Sequence, residues 1–167
     1  MSTNSQTSRA LHEDHRANLD LLGRLEQALA RAPRAGLPAA AAPGGDLARL
    51  VAALERQLVQ ELDRHFIFEE TELFTRMVDS GDGGIAALLS SEHDAIREVA
   101  AELLPLTRAL AQGTLDAVGW TALARTALEL VERQVSHIQK EEMALLPLLG
   151  DLLDDETDRR LAMEYTS

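Results

Sequence analysis

The chain has no cysteine, one tryptophan, one tyrosine and three phenylalanines in 167 residues. Without cysteine there are no disulfides, no thiolate zinc or iron–sulfur ligation and no cysteine nucleophile. With 3% aromatics, the core must be built from Leu, Ala and Val, a composition that favours helices over sheets. No segment alternates apolar and polar residues, and β-branched runs are few, so no strand is expected. Basic residues are scarce, 16 against 28 acidic ones. The net charge of −12 argues against nucleic acid and anionic membranes as partners. No apolar run reaches membrane-spanning length, and the first ten residues carry no apolar signal core. The expectation from these absences is a soluble, cytoplasmic protein.

What is present is an apolar fraction of 46%, enough for one domain with a real core. Residues 1–7 read as a small polar, disordered tail, and 8–165 as a single domain. Ser8 is placed to cap a first helix to Arg31, with Leu11, His15, Leu19, Leu22, Leu25 and Leu29 on one stripe. Pro33 to Gly45 is a Pro/Gly/Ala linker. Asp46 is placed to cap a second helix ending near Met77 or Asp79, before the break at Gly81-Asp82-Gly83-Gly84. A third helix runs from about Ile85 to Gln112, where Pro105 is expected to kink or divide it. Thr114 or Asp116 starts the next element, Gly119 is expected to delay its regular helix to Trp120, and this fourth helix runs toward Pro147. Asp154 or Asp155 caps a short last helix ending near Tyr165. The pattern predicts an all-α, up-down-up-down four-helix bundle with a short C-terminal helix.

Two stretches share one motif, His-x-x-x-Glu-Glu, at His65–Glu70 and His137–Glu142. Four residues is just over one helical turn, so His65 and Glu69 share a face, as do His137 and Glu141. Leu58, Leu62, Phe68 and Leu73 mark the His65 face as the buried one; Leu130, Met143 and Leu145 do nearly the same for His137. A buried carboxylate beside an imidazole is costly unless its charge is cancelled, which a metal cation does. The first and third helices each carry a His after an acidic residue, Asp14-His15 and Glu92-His93. At roughly 1.5 Å rise per residue, His15 and His65 fall at matching depth in the bundle, and so do His93 and His137; the connection between His65 and His93 leaves a mismatch of roughly 6 Å.

Four imidazoles and two carboxylates at one level exceed a closed tetrahedral zinc site. Mixed nitrogen and oxygen donors favour a transition metal such as iron or manganese. With two carboxylates able to bridge, the set fits two iron ions and leaves coordination positions open for oxygen-derived ligands. Beyond these six, His12 is weighed as a ligand joining or replacing His15, and Glu72 as a metal contact one turn further along. Glu70 and Glu142 are read as surface or outer carboxylates, since i+5 turns them off the His face. Arg97 is read as a solvated or salt-bridged residue, or as a clamp on an outer carboxylate. Trp120 and Tyr165 are read as packing residues.

At Glu13-Asp14-His15, His65-x-x-x-Glu69-Glu70, Glu92-His93 and His137-x-x-x-Glu141-Glu142 followed by Leu145-Leu146-Pro147, the chain resembles the hemerythrin-like (HHE cation-binding) family over about residues 8–165. The resemblance implies a non-haem di-iron site with an oxo or hydroxo bridge. His15, His65, His93 and His137 would be terminal ligands and Glu69 and Glu141 the bridges. It also implies a small partner: oxygen, nitric oxide or peroxide, bound, sensed or turned over. The oxygen carriers of that family have a second His where this chain has Arg97, and His-x-x-x-x-Asp where it has His137-x-x-x-Glu141. Fewer His ligands imply a more open, reactive site and shift the expectation from oxygen storage toward consumption of a small oxidant, with non-catalytic binding or sensing as the alternative.

Overall fold

A computed structural model describes residues 5–33 and 35–167. Among the described residues there are helices, turns and loops and no strand, as expected. Helix α1 spans Gln6–Arg31. The helical run over 46–79, α2, changes pitch along its length. It is α-helical over Asp46–Gln60, makes a π turn at Glu61–His65, one α turn at Phe66–Phe68 and a second π turn at Glu69–Leu73, and finishes as α-helix over Phe74–Asp79. Helix α3 is Gly83–Ala111 and α4 is Ala117–Ala144. A 3₁₀ turn at Leu146–Leu148 and a helical turn at Leu149–Leu152 lead to α5, Asp155–Thr166. No helix among the described residues is long and apolar enough to cross a membrane.

Several boundaries differ from the sequence reading for identifiable reasons. Helix α1 begins at Gln6, so of the expected tail only residues 1–4 lie outside the described residues. Ser5, not Ser8, is the cap: its hydroxyl accepts from the Ser8 N–H. The start of α1 is pinned by Asp158 of α5, which accepts from the Ser5 hydroxyl at 2.6 Å and from the Gln6 and Thr7 N–H groups at 2.7 and 3.0 Å. Gly45 occupies the cap position of α2, and Asp46 is its first residue, where a carboxylate favours the positive end of the helix dipole. Pro105 does not divide α3. It lies on the exposed face, so the carbonyl that loses its N–H partner, on exposed Ala101, is left to water. Gly119 does not delay α4. It lies inside the first turn, and its N–H donates to the Asp116 cap at 2.7 Å. A Cβ there would lie 2.5 Å from a Leu115 methyl, which would have to turn aside, and 3.2 Å from the Asp116 carboxylate.

The π turns follow a change in the spacing of the buried residues. From Leu47 to Glu61 the buried residues of the second run recur at alternating steps of four and three: Leu47, Val51, Leu54, Leu58, Glu61. From Glu61 onward they recur every fourth residue: His65, Glu69, Leu73, Met77. On a regular α-helix each step of four drifts off the core by about 40°. The wider π turns absorb that drift and hold His65 and Glu69 inward. The same rephasing buries Phe66, where the regular pattern had placed Leu62 and Phe68.

Helix α1 packs on α2, α4 and α5, α2 on α3, and α3 on α4. Two apolar clusters fill the interior. One holds Leu22, Leu25, Leu54, Leu58, Phe66, Leu103, Leu123 and Leu130 among others. The second holds Leu11, Leu73, Met77, Leu89, Leu145, Leu161 and Tyr165 among others. The buried histidines and glutamates lie between them.

Candidate metal centre

Each long helix delivers a histidine to one level. His15 of α1, His65 of α2, His93 of α3 and His137 of α4 are all at most 2% exposed. Glu69 and Glu141, one turn on from His65 and His137, are wholly buried among them. His65 and Glu69 sit in the two π turns; His137 and Glu141 sit on the regular helix α4. Met143, expected on the same buried stripe, is exposed, because it lies two residues past Glu141 and so on the other side of the helix.

The donor atoms form two groups that share both carboxylates: His15, His65, Glu69 and Glu141, and Glu69, His93, His137 and Glu141. Glu69 turns one oxygen to each group, Oε1 lying 2.9 Å from His65 Nε2 and Oε2 lying 3.2 Å from His93 Nε2. Glu141 does likewise, with Oε2 at 2.9 Å from His15 Nε2 and Oε1 at 2.7 Å from His137 Nε2. His93 Nε2 and His137 Nε2 are 3.0 Å apart. These atoms are close, yet neither oxygen of Glu69 or Glu141, nor Nε2 of His15 or His65, makes a hydrogen bond. Within each group the candidate ligand atoms all lie within 4.8 Å of one another. Buried polar atoms at that spacing without aligned partners fit a cation. All six residues expected as ligands are thus brought together.

The other ring nitrogen of each histidine has a partner of its own. His15 Nδ1 donates to Glu142 at 2.7 Å, His93 Nδ1 to Glu70 at 3.0 Å, and His137 Nδ1 to Glu92 at 3.0 Å. His65 differs: its Nδ1 donates to the Tyr165 hydroxyl at 2.7 Å, and that hydroxyl donates to Asp14. Such partners fix the tautomer, leaving Nε2 free to ligate. They are themselves anchored, Glu70 by Arg97 at 2.7 Å and Glu92 by Lys140. His12 is not in either group; it is half-exposed and pairs with Glu142 at 3.0 Å. Glu72 faces away, paired with Arg76 at 2.9 Å. Of the alternatives open in the sequence, Glu70 and Glu142 take the outer-carboxylate one and Arg97 the clamp, while Tyr165, read as a packing residue, and Glu92 and Asp14, given no role there, also partner the imidazoles. The adjacency of Asp14 to His15 and of Glu92 to His93 was a signal, but it does not reveal that each acid serves the histidine of another helix.

The electrostatics describe how the cluster is balanced by protons alone. Burial works to lower the imidazoles, but Glu141 and Glu69 outweigh it: His93 is pushed up to about 9, and His15, His65 and His137 are raised. Burial works to raise Glu141, yet His137, His15 and His65 hold it well below the carboxylate range. A bound cation would take over the role of those imidazolium protons, since ligands must be deprotonated.

In comparisons with known proteins, the family described as hemerythrin, hemerythrin HHE cation binding domain, matches residues 6–149. No curated protein matches the chain.

Proposed function

This chain belongs to the hemerythrin HHE cation-binding family, and from that premise we propose that it is a non-haem di-iron protein that binds and turns over a small oxidant, hydrogen peroxide foremost, with oxygen or nitric oxide as further ligands. The observation that carries the two-iron reading is the sharing of Glu69 and Glu141 between two four-residue donor groups, each carboxylate directing one oxygen to either side. His15 and His65 complete one side, His93 and His137 the other. Two linked ions of one kind account for that near-symmetry better than one zinc or one calcium.

Iron, when bound, supplies the electrons and the open positions that oxidant chemistry needs. The protein's part is placement and exclusion. Glu70, Glu92, Glu142 and the Tyr165–Asp14 pair hold the imidazoles so that each Nε2 faces the centre. Phe66 stacks on His93 at 3.7 Å between ring centroids and closes that flank against water. We further place the four long helices in an up-down-up-down bundle. The support is that the C-terminal halves of α1 and α3 and the N-terminal halves of α2 and α4 share one apolar cluster.

The test is metal analysis of freshly purified protein, followed by peroxide consumption against an equal amount of free iron. About two irons per chain and turnover above free iron are expected. Iron uptake without turnover would leave a binding or sensing protein. Zinc alone, or no metal after anaerobic iron loading, would overturn the reading.

A further inference from the structure

The layers on the two sides of the cluster differ in kind. One turn away toward the end of the bundle where α5 packs, each long helix presents a buried leucine: Leu11, Leu73, Leu89 and Leu145. One turn away toward the other end stand Asn18, Glu61, Ile96 and Gln134, also buried. Three of these four are polar. Asn18 and Gln134 are each 1% exposed, and neither the oxygen nor the nitrogen of either amide has a hydrogen-bond partner in the protein. Gln57 donates to Glu61 at 3.3 Å, and the Glu61 carboxylate lies 4.0 Å from His65 Nδ1.

Buried amides without partners cost stability, and leucine at both positions would give this side the apolar layer that the other side has. Buried polar groups left open beside a cluster of candidate metal ligands are placed to meet a molecule that enters there. Asn18 and Glu61 of this layer are also reached from outside. A cleft of about 260 Å³ between α1 and α2 is lined by Asp14, Asn18, Gln57, Glu61, His65 and Tyr165 among others.

We propose that Asn18, Gln134 and Glu61 form the face that recognises the exogenous ligand, and that this ligand is a small uncharged molecule that both donates and accepts hydrogen bonds, of the hydrogen peroxide class. The proposal rests on the cluster holding iron as set out above. Each amide offers one acceptor and two donors, which match a molecule with O–H groups at both ends. A diatomic gas has no hydrogen to donate and gains little from the carboxylate. None of the four residues of the layer, Asn18, Glu61, Ile96 and Gln134, carries a positive charge that would hold an anion. The leucine layer opposite offers such a ligand no partner, so the two sides of the centre are not equivalent.

The test compares wild type, Asn18→Leu, Gln134→Leu and the double variant Asn18→Ala/Gln134→Ala, which cannot overpack the layer. Iron content of each full-length chain is measured first. Affinities for hydrogen peroxide and for nitric oxide are then read from rapid-mixing spectra of the iron-loaded proteins, and thermal midpoints from the metal-free ones. The expected result is unchanged iron content, a raised metal-free midpoint in the leucine variants, and a ratio of peroxide to nitric oxide affinity lower by at least about tenfold. Normal iron uptake with that ratio unchanged in every variant overturns this proposal alone. A wild-type chain that takes up no iron overturns the functional reading and this one with it.

Discussion

At the scale of single residues, the site is defined by which atom each side chain spends on which partner. Glu141 sits within ion-pair reach of all four histidines. Glu141→Gln keeps the shape and removes the charge that draws in a cation. The expected outcome is loss of bound iron, measured by metal analysis, with Glu72→Gln as the control that retains it because Glu72 pairs with Arg76 at the surface. Tyr165 acts through His65 and is a positioning residue. Tyr165→Phe keeps the ring against Phe68 and removes only the hydroxyl that His65 Nδ1 donates to. Outer partners of this kind are worth about 10–100-fold in metal affinity. A weakening in that range is expected in a chelator competition, with the circular dichroism of the fold unchanged. An unchanged affinity would mean that Asp14, 3.7 Å from the same nitrogen, suffices alone.

At the scale of elements, regularity gives way where the site needs it and persists where the sequence alone would break it. The second long helix widens into two π turns at the segments that carry His65 and Glu69. The third runs unbroken through Pro105. An interior proline costs about 3 kcal/mol relative to alanine, less where the freed carbonyl meets water. Pro105→Ala is therefore expected to stabilise the chain by about 1–2 kcal/mol, a rise of about 2–8 °C in the thermal midpoint for a chain this long. The site is far from that surface, so iron content should not move. A lower midpoint would show that Pro105 serves packing that its exposed position does not suggest.

At the scale of the whole molecule, the family match stops at residue 149, yet α5 beyond it completes the arrangement by supplying Tyr165 to the centre and Asp158 to the start of α1. Burial works to raise the Asp158 carboxyl, but hydrogen bonds from Ser5, Gln6 and Thr7 outweigh it and hold it below the usual range. A group with a depressed folded-state value contributes stability above its unfolded value of about 3.9, and that contribution is lost as pH falls through the folded value. Asp158→Asn should therefore lower the thermal midpoint at pH 7, by about 1.5–3 kcal/mol in stability. The gap from wild type should close as pH falls below about 4. Melting curves from pH 3 to 7 check this. A gap that stays constant over that range would mean that the contact is held by shape and not by charge.

The helical class, the four long helices and the six residues that meet between them were legible in the chain, because period and motif spacing are local properties. Rise and turn alone put His15 level with His65 and His93 level with His137, and Glu69 and Glu141 on the same inward faces; that the two pairs meet, across a mismatch of roughly 6 Å by rise, is seen only in the fold. What each of these residues touches is settled by packing between helices. The partners of the imidazoles come from other helices: Glu142 serves His15, Glu92 serves His137, and Tyr165 serves His65 from 100 residues away. That packing also sets the pitch of the second helix, since whether a run of fourfold spacing drifts off the core or is drawn into π turns depends on what lies opposite. Asn18 and Gln134 belong to no motif of the chain, and their burial without partners in the protein is a property of the packed layer that no local pattern carries.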